Sequence, residues 1–129
     1  MIPGQKDNHP TFAKSFGFAW QGLRYALKTE RNIKVMLVLF GVAVVLGLVL
    51  HCDASEWGII LIGSAAVFCA ELVNTALETI VDLVSPEYHT LAGHAKDISA
   101  AAVYVLSLLV GIAGVIIYFS AAMRLMIPT

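Results

Sequence analysis

Three long apolar runs set the terms for this chain. Ile33 to Leu50 is broken only by Lys34 near its start, Trp57 to Val84 has charged residues only in its second half, and Ile98 to Met123 is apolar nearly throughout. A hydrocarbon core of ~30 Å takes about 20 helical residues. The first run is slightly short for that span and the other two are long enough. Little polar sequence remains to enclose them: of 129 residues, 59% are hydrophobic and 13% charged, against about 25% charged in a soluble domain. The chain therefore reads as an all-α integral membrane protein, one domain over 1–129 with three transmembrane helices. A formal net charge of −1 excludes a basic nucleic-acid binder. Two cysteines, Cys52 and Cys69, are too few for a disulfide scaffold. The first apolar run starts too late and runs too long for a cleavable signal peptide, so the chain is expected to insert by its own spans.

Lys and Arg set the expected orientation. Lys6, Lys14, Arg24, Lys28, Arg31 and Lys34 sit before the body of the first span. The loop His51 to Glu56 has no Lys or Arg, the second loop holds Lys96 with His89 and His94, and only Arg124 follows the third span. The N-terminus and second loop are expected in the cytoplasm and the C-terminus outside, with Trp57 an aromatic anchor at the outer interface. Ahead of the first span, Thr11 to Glu30 repeats Phe12, Phe16, Trp20 (with Ala19), Leu23 and Leu27 at steps of three and four, while Lys14, Gln21, Arg24 and Lys28 face elsewhere. That pattern predicts an amphipathic helix suited to lie on an anionic leaflet.

The second run carries the chemistry. Glu71, Asn74, Glu78 and Asp82 are spaced by three, four and four residues, which puts all of them within about 80° of one helix face. Leu72, Val73, Ala76, Leu77, Ile80 and Val81 form the apolar remainder. Counted inward from Trp57, the inner boundary of the hydrocarbon falls near Leu77 or Glu78, with Glu71 roughly 10 Å deeper at about 1.5 Å per residue. An ionisable group at that depth costs roughly 2–3 kcal/mol unless paired or neutralised. A carboxyl in such a setting is a candidate general base. Acids at the cytoplasmic boundary suggest Mg²⁺, which takes one or two protein carboxylates and completes its shell with water and nucleotide phosphates. Glu30, expected at the same membrane level as Glu78, is the candidate second carboxylate. The segment from Ser85 to Asp97 adds Glu87, His89, His94, Lys96 and Asp97. Lys96 suits a phosphate, and Asp97 is expected at the start of the third helix, where the dipole favours an anion. No P-loop or kinase glycine-rich pattern is present.

Taken together, Glu71-Leu-Val-Asn74-Thr-Ala-Leu-Glu78-Thr-Ile-Val-Asp82, Glu87-Tyr-His89 and Ala95-Lys96-Asp97 resemble the signature of the small prokaryotic diacylglycerol kinases and undecaprenol kinases. Trp20-Gln-Gly22-Leu-Arg24 and Glu30-Arg-Asn32 resemble the family's N-terminal elements, and the likeness runs from about Phe16 to the end of the third span. The resemblance implies a multi-pass lipid kinase of the prokaryotic cell membrane: a surface helix plus three transmembrane helices, working as a homotrimer with sites between subunits. It implies Glu71 as catalytic base, Glu30 and Glu78 as ligands of Mg²⁺ carried by ATP, and Phe18, Asn74, Glu87, His89, Lys96 and Asp97 at the nucleotide. Trp20 and Arg24 would meet the lipid, with Asp82 in support. Ser85-Pro86 looks like the undecaprenol branch; the diacylglycerol branch typically has Gly-Ser there, Gly where Ser99 stands and Tyr where Phe18 stands. The expected reaction is phosphorylation of undecaprenol, with diacylglycerol as the alternative acceptor. Two other classes compete: a proton or cation transport subunit using the acid stripe, and a structural membrane module. Transport needs a polar route across the whole bilayer, whereas Ile59 to Ala70 offers only Ser64 and Cys69.

Overall fold

The computed structural model describes residues 11–87 and 89–127; Lys6 and Tyr88, which entered the sequence argument, lie outside them. Four helices follow in order: α1 (Phe12–Thr29), α2 (Arg31–Val49), α3 (Ala54–Val84) and α4 (Thr90–Met126). Among the described residues there is no strand. The last three are each long and apolar enough to cross a membrane. At about 1.5 Å per residue, α2 spans roughly 28 Å, α3 roughly 46 Å and α4 roughly 55 Å. The first of these fits a bilayer core, and the other two are longer than it.

Local chemistry sets the ends. Glu30 is the single extended residue between α1 and α2, and its N–H still donates to the Ala26 carbonyl at 2.8 Å. α2 stops at a short loop in which His51 takes a left-handed backbone, φ 51°. Asp53 then caps α3 by accepting from the N–H groups of Ser55 and Glu56, and the Glu56 carboxylate accepts from the Asp53 N–H at 2.9 Å. This reciprocal box satisfies backbone donors that the first helical turn leaves without partners. Hydrogen bonds from Ser55 and Glu56 also hold the Asp53 carboxyl below the usual carboxylate range. α3 ends one residue short of Ser85, as the following Pro86 requires. His89 caps α4, its Nδ1 accepting from the Leu91 N–H.

α3 and α4 form the main packed pair, with α2 against α3 and α4 and α1 touching α2 and α3. Ile60 and Val67 of α3 are buried with Val103, Ile117 and Ala121 of α4, and Ala26 and Ile33 close the α1–α2 corner. Glycines allow the tightest approaches: the Trp57 ring lies on Gly47, and Val110 lies over Gly63. Trp57 is thus half-buried against α2. The Tyr118 hydroxyl donates to the Ala43 carbonyl across α4 and α2 at 2.9 Å. Arg124 grips Glu56 with two hydrogen bonds, 2.9 and 2.7 Å, closing the loop ends of α3 and α4. An apolar cleft of about 630 Å³ opens between α2, α3 and α4, with Ile59, Phe68, Val110 and Tyr118 among its walls.

Two sequence boundaries need correction. α3 begins at Ala54, so Glu56 belongs to its first turn rather than to a loop. α4 begins at Thr90, not Ile98, and Asp97 lies about two turns inside it, beyond the reach of the helix-start dipole invoked for it. Apolar runs mark the part of a helix that meets lipid; the polar turns that project past lipid are helical for other reasons, here the His89 cap and the packing on α3.

Candidate functional site in the projecting ends of α3 and α4

The predicted stripe is real and graded in burial. Glu71 is 2% exposed and Asn74 8% exposed, Glu78 is half-buried, and Asp82 is exposed. Thr75, beside Asn74, is 7% exposed. The series runs from the apolar body of the molecule to its polar end, so one helix face carries a carboxyl from a dry setting to a wet one over three turns.

Cross-helix hydrogen bonds fix its middle and outer parts. The Asn74 amide donates to a Glu78 carboxylate oxygen at 3.0 Å and accepts from the Ser99 hydroxyl of α4. Only an NH₂ can face a carboxylate favourably, so Glu78 decides which way the amide points. Ser99 also lies 2.9 Å from the Lys96 carbonyl. One turn farther out, the Lys96 ammonium donates to both Asp82 oxygens, at 2.9 and 3.1 Å. Lys96, expected to suit a phosphate, is held by a carboxylate that orients it. Glu71 takes part in none of these bonds.

The other predicted residues are spread over α1, the α1–α2 corner, the segment between α3 and α4, and α4, and no hydrogen bond joins them to this core among the described residues. Glu30 stands half-buried at the α1–α2 corner. Phe18, Trp20 and Arg24 are exposed on α1. Glu87 is exposed and its carbonyl accepts from the Ser85 hydroxyl at 3.0 Å, while the His89 ring is engaged as a cap. Asp97 is exposed on α4. Sequence reasoning noted Ser99 only as a branch marker and missed Thr75 and the Arg124–Glu56 pair. Ser99 was findable in part: it follows Lys96 by three residues, on the same face of α4.

Among the described residues no three His, Cys, Asp or Glu side chains gather as a metal cage. The donor set still fits Mg²⁺ delivered with a nucleotide, because that ion needs only one or two protein carboxylates when phosphates and water complete its shell. Glu78 and Glu30 are carboxylates of the right kind.

The family model for prokaryotic diacylglycerol kinase matches residues 17–118. The chain belongs to the prokaryotic diacylglycerol kinase family. The match covers all of the stripe, the Lys96 segment and most of α1. Among curated relatives, a diacylglycerol kinase of Synechocystis is 43% identical over 110 residues, 84% of this chain and 60% of that protein. An undecaprenol kinase of Bacillus subtilis is 36% identical over 107 residues, 83% of this chain and 87% of that one. A diacylglycerol kinase of Escherichia coli is 36% identical over 96 residues, 71% of this chain and 75% of that one. The chain thus spans about three fifths of the Synechocystis relative's length and most of the other two. Membership agrees with the three apolar helices: this is a multi-pass membrane protein of a kinase family.

Proposed function

We propose that the protein is a membrane lipid kinase that moves the γ-phosphoryl group of ATP onto the hydroxyl of undecaprenol. The observation that carries this reading is the burial gradient from Glu71 to Asp82, a carboxyl in a dry setting linked along one face to charged groups at the wet end. A membrane alcohol and an aqueous nucleotide meet only at such a boundary. Glu71 acts as the base on the lipid hydroxyl. Glu78 and Glu30 hold Mg²⁺ bound to ATP; the ion, when bound, neutralises charge on the transferring phosphoryl. Asn74 fixes Glu78, and Lys96, aimed by Asp82, faces phosphate oxygens. Phe18, Glu87, His89 and Asp97 border the nucleotide, and Trp20 and Arg24 border the lipid.

Several features support the wider picture. Lys14, Arg24, Lys28, Arg31 and Lys34 belong to α1 and the start of α2, whereas Arg124 at the opposite end is neutralised by Glu56. That asymmetry favours a cytoplasmic N-terminus and second loop, with the C-terminus outside. Phe12 is 95% and Trp20 58% exposed on α1, which suits a helix lying on the inner leaflet. One chain supplies few ligands, and extensive apolar surface remains on every helix; a homotrimer with sites between subunits answers both. Transport is disfavoured because the cleft between α2, α3 and α4 is walled almost wholly by apolar side chains.

Undecaprenol is favoured over diacylglycerol by Ser85-Pro86 and by Ser99, whose hydroxyl is bonded into the site. Diacylglycerol is the second reading, supported by the names of the Synechocystis and Escherichia coli relatives. Purified protein in mixed micelles with labelled ATP, offered both lipids side by side, should label undecaprenol more efficiently. Efficient labelling of diacylglycerol alone reverses the choice, and labelling of neither rejects the kinase.

A further inference from the structure

Thr75 holds the one buried side-chain polar atom that lacks a hydrogen-bond partner among the described residues. Its neighbours show that this is unusual for the fold. Thr29 and Thr79 also lie on helices, and each turns its hydroxyl back onto the carbonyl four residues earlier, at 3.1 and 2.8 Å. Thr75 does not, although Glu71 offers it the same bond. A buried hydroxyl without a partner costs stability, so an unused one beside a reactive group points to a ligand.

Its place on α3 identifies that ligand. Thr75 is four residues from Glu71 and three from Glu78, about 6 Å and about 4.5 Å along the helix axis. It shares their face and is 7% exposed. Under the function proposed above, the acceptor oxygen must lie between the base at Glu71 and the nucleotide at Glu78, the interval that Thr75 occupies.

We propose that the Thr75 hydroxyl binds the lipid substrate, donating a hydrogen bond to the alcohol oxygen that becomes phosphorylated. The valences of that oxygen fit. Its proton passes to the Glu71 carboxylate. One lone pair forms the bond to the γ-phosphorus, while the bond from that phosphorus to the β–γ bridging oxygen breaks and ADP leaves with its electron pair. The second lone pair is free to accept from Thr75, whose own proton stays in place. Donor and base together fix the direction of the attacking lone pair, which a flexible lipid cannot fix for itself.

The test uses the full chain in mixed micelles and compares Thr75→Val, Thr75→Ser and Glu71→Gln, with undecaprenol and diacylglycerol as separate acceptors. Val keeps the shape of Thr and removes the hydroxyl. In Thr75→Val, kcat/KM for the phosphorylated lipid should fall about tenfold, the scale of one lost hydrogen bond, while KM for Mg-ATP stays at the wild-type value. The thermal midpoint should hold or rise, because no bond within the protein is lost. Thr75→Ser should restore lipid use. Wild-type lipid kinetics in Thr75→Val overturns the inference, as does an equal rise in KM for Mg-ATP or a lower thermal midpoint. Where both lipids are phosphorylated, an effect seen only with diacylglycerol also overturns it, since the bond would then go to an ester carbonyl; phosphorylation of diacylglycerol alone reverses the substrate choice and leaves the test to be read on that lipid. Normal turnover in Glu71→Gln would instead remove Glu71 as base, a separate failure.

Discussion

Asn74 shows how little freedom a buried side chain has once its neighbours are charged. Its NH₂ faces Glu78 and its oxygen faces Ser99, so replacing Ser99 acts on Glu78 at one remove. Ser99→Ala should raise KM for Mg-ATP several-fold, with about 1 kcal/mol as the scale of the lost bond, and leave KM for lipid near wild type. Initial rates at varied Mg-ATP check this, and an unchanged KM would detach Ser99 from the nucleotide. Glu71 makes the stronger case. Glu71→Gln keeps size and polarity but cannot take a proton, so turnover should fall at least about 100-fold, the usual scale for a general base. Retained nucleotide binding and assembly, read by ATP-analogue titration and sedimentation, distinguish lost chemistry from lost structure. The stripe was legible in the sequence because acids are rare in apolar helices and a four-residue period is easily seen. Thr75 was not, because whether a hydroxyl has a partner depends on rotamers and on α4, neither of which a local pattern records.

At the scale of elements, the two ends of the α3–α4 pair were legible to different degrees. Hydropathy located the membrane-crossing parts but stopped at Ile98, because Thr90 to Asp97 is a polar helix start that only packing and a cap reveal. The Arg124–Glu56 pair joins residues 68 apart in sequence, beyond any periodic signal. Glycine placement gives a direct test of the packing. A Cβ at Gly47 would stand 2.9 Å from two ring carbons of Trp57, whereas one at Gly41 would meet nothing within 4 Å. Gly47→Ala should destabilise by about 1–3 kcal/mol, as overpacking does, and lower the thermal midpoint. Gly41→Ala, on the same helix, should be neutral or stabilise by roughly 0.5–1 kcal/mol through helix propensity. Equal responses in the two variants would mean that Trp57 does not rest on α2. The Asp53 cap adds a pH dependence. Its folded carboxyl lies below the usual range, so its contribution is complete above the unfolded carboxylate pKa and is lost as pH falls through the folded one. Asp53→Asn should flatten that acid limb in a stability-versus-pH series.

For the whole molecule, the governing fact is that its two reactants occupy different phases. The tail of a lipid alcohol is already solvated by the bilayer, where each buried methylene is worth ~0.8 kcal/mol relative to water. The protein gains little by gripping the tail again and needs to recognise only the hydroxyl end. Under the proposed function, lateral access is the expected route: the alcohol would reach Glu71 with its chain still in hydrocarbon, while ATP would arrive at Glu78 and Lys96 from water. On that route α1 would wall the entrance through Trp20, Leu23 and Leu27, of which Trp20 is exposed and the two leucines are half-buried. Alcohols of differing tail length should then give similar rates at equal surface concentration in the micelle, whereas an acetylated hydroxyl should abolish turnover. Trp20→Asp places a charge where the tail must pass, so KM for lipid should rise about tenfold or more, in keeping with roughly 2–3 kcal/mol for an ionised group in an apolar membrane setting. KM for Mg-ATP should stay within about twofold, since Phe18, two residues from Trp20, faces another side of the helix and Glu30 lies about three turns farther on. A water-soluble short-chain alcohol that matches the long-chain lipids at equal bulk concentration would overturn lateral access, because the membrane would then contribute nothing to delivery.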